Sequence, residues 1–334
     1  MNNQLDKTNI GAIFGTGRSG TTWLGSILNS HPDVVYRFEP FHRLQKNNQD
    51  IAELIKILKS NQISEQDIIH MYKSLLPAYP EIDKPPFFEK NFSSRFPIGR
   101  PLLYPLARKN NILRMLFREM YTPTQSPLLI FKEVGYIEIP KNLIDNTRMP
   151  IVYMVRHPCA VISSLIKGQN LFLMSTGRLG IINNLLKEYQ PKLAEKYEGN
   201  IENMTMAAKQ ALLWYIEVEE SFLACQDSPH GLVVIYEELV DNTLAVAEKV
   251  LGHFGLDLHQ KTIDFIEKST SSSPKQSLIK EFGMINKYFT IYRDSKQVRD
   301  KWKDKMSEED QNTVREIVQS SKCFQKGVNL GLWN

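Results

Sequence analysis

The chain has little cysteine, no long apolar run and no marked excess of either charge. Its three cysteines, Cys159, Cys225 and Cys323, are odd in number, far apart and without a C-x-x-C spacing. That pattern speaks against a disulfide framework or a zinc site and suits a reducing compartment. No apolar stretch approaches the roughly 20 residues that cross a bilayer. The polar residues 1–9 lack the charged and apolar regions of a signal peptide, so cytoplasmic residence is the expectation. A net charge of +4 suits small anionic ligands and falls far short of the basic stripe of a nucleic-acid binder. Glycine and proline, 17 of each, are too few for a collagen-like or disordered chain. With 334 residues, 42% hydrophobic and 23% charged, the chain can build a packed globular core.

What the sequence does hold is alternation. Residues 10–14 form a short apolar run that ends in Gly15-Thr16-Gly17-Arg18-Ser19-Gly20 and passes into a helical pattern over 21–28. Residues 34–38 are the next strand candidate, and runs at 128–134, 151–155 and 232–236 are apolar, rich in β-branched residues and bounded by proline or glycine, as buried parallel strands are. Helical patterns cover 51–59, 65–75, 106–120, 159–167, 204–225 and 243–254. This order predicts an α/β fold: one domain over 1–334, with a central parallel sheet flanked by helices. The proline- and aromatic-rich stretch 77–105 reads as a long loop over the sheet edge, a candidate lid. Residues 171–200 read as a helical insertion. The serine-rich 269–277 reads as a connection to a final segment with Lys301-Trp302-Lys303-Asp304 and a last helix near 308–321.

The strongest motif is Gly15 to Trp23, because a strand running into glycines and then a helix start is an anion cradle. Backbone N–H groups point inward there and the helix dipole favours negative charge. The spacing is the first half of a Walker A loop, yet Thr21 stands where the lysine should follow the last glycine. A kinase or ATPase needs that lysine on its β- and γ-phosphates. The nearby cation is Arg18, within the loop and in reach of a leaving-group oxygen. The second motif, 155–164, follows the 151–155 strand, so Arg156 falls on the carboxyl edge of the sheet, where open α/β sheets bind ligands. Pro158 suits the first turn of a helix that carries Ser164, and an arginine with a hydroxyl holds a second phosphate. Singly, the loop reads equally as a turn with a surface arginine, and Arg156 as a helix-flanking charge. Their pairing favours two anion sites.

Together these motifs resemble the 5′-phosphosulfate loop and the 3′-phosphate site of the sulfotransferases that use 3′-phosphoadenosine 5′-phosphosulfate (PAPS). The run Gly17-Arg18-Ser19-Gly20-Thr21-Thr22-Trp23-Leu24, then His31-Pro32-Asp33-Val34 and Glu39-Pro40, is similar to the carbohydrate and tyrosylprotein branches. The step from Arg156 to Ser164 matches the family's 3′-phosphate pair, and Trp302-Lys303, Cys323 and Leu330-Gly331 resemble the carbohydrate-branch tail. Residues 47–124 and 171–204 match nothing that can be named.

The resemblance implies a P-loop-type domain, no metal, and in-line transfer of SO3 from PAPS to a hydroxyl, releasing adenosine 3′,5′-bisphosphate (PAP). It implies that Gly17, Arg18, Ser19, Gly20, Thr21, Thr22, Arg156 and Ser164 hold the donor, with Arg18 on the leaving oxygen and Glu39 as the base. Many cytosolic members carry lysine where this chain has Arg18, and an arginine does not give up a proton. Burial should raise the Glu39 carboxyl and Arg18 should lower it; pairing with Arg37 or Arg43 is the bland alternative. His42 is the other candidate base. Lys132 and Glu133 read either as lining the acceptor pocket or as solvated charges at a strand end. His31 and Pro32 read as helix termination, and Trp23 and Trp214 as core. The acceptor class stays open among carbohydrate, lipid, tyrosine and small metabolite, with 77–105 and 171–200 as candidate acceptor regions, and oligomeric state is not set. The rivals are a magnesium-dependent P-loop kinase or NTPase and a non-catalytic protein that binds PAP without turnover. Neither nucleic acid nor a membrane span is expected.

Overall fold

The apolar runs become five strands, β1 (Ile10–Gly15), β2 (Val34–Phe38), β3 (Leu128–Lys132), β4 (Ile151–Val155) and β5 (Gly231–Ile235). They are described in a computed structural model covering residues 9–96, 98–270 and 298–333. The strands form one parallel sheet in the order β2-β3-β1-β4-β5, a P-loop-type arrangement. Successive side chains point to opposite faces, and both faces are covered, which is why the strand sequences are continuous apolar runs rather than alternating ones. Phe14, Phe131 and Tyr153 enter the core on one face, while Ile13, Ile130, Val152 and Met154 enter the core on the other.

Helices α1 (Thr21–Ser30), α2 (Pro40–Leu44), α3 (Gln49–Lys59), α4 (Glu65–Leu75), α5 (Arg100–Ala107) and α6 (Asn111–Tyr121) precede β3. Next come α7 (Glu138–Asn146), α8 (Pro158–Asn170), α9 (Ile182–Tyr189), α10 (Pro191–Tyr197) and α11 (Met206–Asp227). Beyond β5 lie α12 (Tyr236–Asp241), α13 (Thr243–His253), α14 (Gln260–Thr270), α15 (Glu308–Val318) and α16 (Lys322–Asn329). Helix α1 leads from β1 to β2, with the later β3 inserted between them, and β4 lies on the other side of β1. The chain therefore changes direction across the sheet at β1, and the carboxyl end of β1 is where a ligand crevice belongs.

Several elements differ from expectation for local reasons. The single helix expected over 106–120 is two, because Asn110 caps α6 by accepting from Leu113 N at 3.1 Å. The loop expected over 77–105 ends in α5, whose N-cap Gly99 has a φ of 84°. The third strand stops at Lys132 rather than 134, since Glu133 turns inward to meet α2. Of the serine-rich 269–277, only Ser269 and Thr270 fall within the described residues, as the end of α14; the rest lies outside them. The insertion at 171–200 holds a 3-10 turn (Gly177–Ile181), α9 and α10. Among the described residues no helix is long and apolar enough to cross a membrane.

The C-terminal segment is tied to the core by two buried carboxylates, Glu219 and Glu237. Glu219 on α11 accepts from Ser321 Oγ (2.6 Å) and from the Lys322 and Cys323 N–H groups (2.8 and 3.4 Å), capping α16. Trp333 is buried, and its Nε1 donates to Glu237 Oε2 at 2.8 Å, just beyond the end of β5.

Candidate active site

The Gly-rich loop leaves β1 at Gly15 and enters α1 at Gly20. At Gly20, φ is 99° and no side chain caps the helix. A Cβ there would lie 2.5 Å from the Tyr236 ring, and one at Gly15 would lie 2.5 Å from the Met154 carbonyl oxygen, so both positions require glycine. Ser19 is fully buried and donates to Thr16 O at 2.8 Å, which closes the loop on itself.

Arg18 also has positive φ, at 73°, and its Nε donates to Ser164 Oγ on α8 at 3.0 Å. Arg156, at the end of β4, donates to Arg18 O (3.3 Å) and Val298 O (3.2 Å), and its guanidinium lies 4.2 Å from the Tyr236 ring centre. The loop, the Arg156–Ser164 motif and the end of β5 therefore meet in one cluster. Within that cluster Thr16 Oγ1 and Arg156 Nε are buried without a hydrogen-bond partner among the described residues. Buried polar atoms are rarely left so unless a ligand completes them.

A second cluster stands at the carboxyl ends of β2 and β3. Glu39 N donates to Lys132 O at 2.8 Å, Pro40 starts α2, and the Glu39 backbone is held at a φ of 49°. Its carboxylate accepts from Lys132 Nζ at 2.6 Å and from Arg43 Nη2 at 3.2 Å. Burial acts to raise the Glu39 carboxyl, but the charge and hydrogen bond of Lys132, then Arg43 and Lys84, outweigh it and hold the group below its ordinary value. The cation responsible is thus Lys132 and not, as expected, Arg18. The reason is the strand order: β3 lies between β2 and β1, so Glu39 is two strand spacings, roughly 10 Å, from the loop's strand. Arg37 likewise does not pair with Glu39; it is buried against Asp83.

Lys132 and Glu133 are buried rather than solvated. Lys132 Nζ lies 4.7 Å from the Phe38 ring centre and Lys84 Nζ 4.3 Å from the same ring. Burial, then Arg43, lowers the Lys84 ammonium to about 7, partly offset by Glu39. Glu133 accepts from the Phe41 and His42 N–H groups (2.5 and 3.4 Å) at the start of α2. The half-exposed His42 places Nδ1 2.7 Å from Glu133 Oε2. Burial raises the Glu133 carboxyl against the pull of His42. His31 ends α1, and Trp23 and Trp214 are buried.

The structure thus joins Arg18, Arg156 and Ser164 directly, with Gly17, Ser19, Gly20, Thr21 and Thr22 in the loop and the first turn of α1. It sets Glu39 in a neighbouring cluster at the same sheet edge. Sequence reading passed over Tyr236, Glu237 and Lys84, and named Arg43 only as a partner of Glu39, which it is. The Tyr-Glu pair carried a usable signal, since it follows the fifth apolar run and so falls on the ligand-binding edge. Glu237 accepts from His157 N at 3.2 Å, and the His157 ring stacks on Trp302 with centroids 4.3 Å apart. Chemically, the edge offers a polyanion cradle beside an ionised carboxylate that can take a proton from a hydroxyl.

Residues 12–327 match the family model described as sulfotransferase domain. No curated protein matches the sequence. Among solved structures, a sulfotransferase domain from the curacin biosynthetic pathway is 14% identical, with 93% of this chain and 95% of that one covered and a TM-score of 0.47. The mouse sulfotransferase SULT7A1 complexed with PAP is 12% identical over 97% and 89%, with a TM-score of 0.48. Retinol dehydratase in complex with androsterone and PAP is 15% identical over 95% and 82%, with a TM-score of 0.46.

Proposed function

This chain belongs to the sulfotransferase domain family, and from that premise we propose that the Gly-rich loop, Arg156 and Ser164 hold PAPS while Glu39 takes the proton of a hydroxyl acceptor. The supporting observation is the contact of Arg18 with both Arg156 and Ser164, which joins two anion-binding motifs into one cluster with buried polar atoms to spare. On this reading the N–H groups of 17–22 hold the 5′-phosphosulfate and Arg156 with Ser164 the 3′-phosphate. Arg18 supplies positive charge to the leaving oxygen. The acceptor oxygen bonds to sulfur, the bond from sulfur to the phosphate oxygen breaks, and PAP leaves. Glu39, kept ionised by Lys132, receives the acceptor's proton. Lys132 fixes the carboxylate by donating to it and takes no part in the proton transfer.

Arg18 and Glu39-Pro40 favour the carbohydrate and tyrosylprotein branches. On this reading the acceptor side is built from the two regions 77–105 and 171–200. Lys84, within 77–105, lies over Phe38 beside Glu39. Arg178, within 171–200, donates to Gly135 O just beyond β3. Three free, buried cysteines agree with a reducing, cytoplasmic setting.

Thermal melting with PAP and with ATP and magnesium side by side tests the donor. A hundredfold excess of PAP over its dissociation constant should stabilise the fold by about 2.7 kcal/mol, and sulfur-labelled PAPS should label a hydroxyl acceptor. Greater stabilisation by ATP with magnesium would favour the kinase reading, and tight PAP binding with no turnover on any acceptor the non-catalytic one.

A further inference from the structure

Helices α5 and α6 pack on each other through Tyr104, Ala107, Phe117 and Tyr121, which form a small core of their own with Ala78. The opposite faces of the two helices carry Leu102 and Leu106 on α5 and Ile112, Met115 and Leu116 on α6. Ile98 stands just ahead of α5. All six side chains are exposed, Leu102 at 79%, Ile98 at 78% and Ile112 at 76%. The spacing 112, 115, 116 is a helical stripe, so the sequence has placed an apolar face where a water-facing helix would place a polar one. Scattered exposed apolar residues are ordinary, but a contiguous set on one hairpin marks an interaction surface.

Charge says what it meets. From residue 95 to 118 the chain has Arg95, Arg100, Arg108, Lys109, Arg114 and Arg118 and no acidic residue. Three of the six are held in ion pairs, Arg95 with Glu119, Arg100 with Asp83 and Arg114 with Glu81, so the basic rim is the other three. Arg108 and Lys109, both exposed, form the turn between the two helices, and the exposed Arg118 flanks the stripe. An apolar face rimmed by arginine and lysine fits an anionic lipid surface: side chains enter the acyl boundary and cations meet headgroups. A second copy of the chain fits less well, because a two-fold contact would set the basic rim against itself. Eight and 11 residues are too few to cross a bilayer, so the hairpin would lie in the plane of the interface.

We propose that the α5–α6 hairpin binds the surface of a membrane containing anionic phospholipid. The proposal does not depend on the sulfuryl-transfer reading. The hairpin's root is nonetheless close to the candidate site: Arg100 pairs with Asp83 at 2.8 Å, and Lys84 feels the charge of Arg108. The test is co-sedimentation of the full chain with phosphatidylcholine vesicles made with and without phosphatidylglycerol. The protein should pellet with the anionic vesicles, much less with the neutral ones, and less as salt is raised. A Leu102→Trp variant should shift its fluorescence to the blue on adding anionic vesicles. Leu102→Asp with Met115→Asp, and separately Arg108→Glu with Lys109→Glu, should each cut vesicle binding at least tenfold while melting and PAP binding stay at the parent level. Equal pelleting with neutral vesicles, or no loss in the variants, would overturn the proposal. So would a parent dimer that ignores vesicles and becomes a monomer in the double aspartate variant.

Discussion

Glu39 and Arg18 share an unusual backbone state: among the described residues the only non-glycine positions with positive φ are these two and Phe172. Each such position costs on the order of 1–3 kcal/mol unless its surroundings enforce it, and here a parallel sheet edge does. Its place after the second strand marked Glu39 as a candidate, but its partner was not legible, because Lys132 lies 93 positions away and is delivered by strand pairing. Glu39→Gln should lower turnover by about 10²–10⁴. It should also lower stability, by about 3 kcal/mol, because it leaves the Lys132 ammonium buried with its main partner gone. Adding Lys132→Met should restore melting without restoring turnover. The pH dependence follows from the depressed carboxyl. Its contribution to stability is complete above the ordinary carboxylate value and fades as pH falls through the lower folded value, and turnover should have its acid limb there too. If Glu39→Gln keeps its turnover while His42→Ala loses it, the His42–Glu133 pair is the base.

At the level of elements, the strands were readable because parallel strands buried on both faces leave uninterrupted apolar runs. Helices α3, α4, α8, α11, α13 and α15 were readable from their periodicity, whereas α7 and α14 were not read. What also escaped were short pieces such as α2 and α12, five and six residues long, whose helicity is imposed from outside. The start of α2 is held by Glu133, a residue 92 positions from its acceptor-bound N–H at Phe41. The Gly-rich loop is the contrary case, since Gly20 stands where φ and the Tyr236 ring leave no other choice. Gly20→Ala should therefore cost roughly 1–3 kcal/mol in folding and greatly weaken PAP. Calorimetry on a variant shown to be folded checks this, and an unchanged PAP affinity would remove the loop from the donor site.

For the whole molecule, only two of the four pairs of consecutive strands are neighbours in the sheet, β2 with β3 and β4 with β5, and both are joined by long crossovers. Refolding from urea should be slow and should lose material to aggregation as concentration rises, as non-local pairing demands. Stopped-flow fluorescence and light scattering measure both; a single fast phase in the submillisecond range with full recovery would refute it. The central strand has the longest wait. Residue Ile10 stands in register with Leu129, and Ala12 with Ile151. At about 5–20 residues per second on the ribosome, β1 is made on the order of ten seconds before β3 exists to pair with it. For that time six residues that end fully buried stand without the neighbours that will cover them, and a chaperone that binds apolar segments would meet this strand long before there is a catalyst to protect.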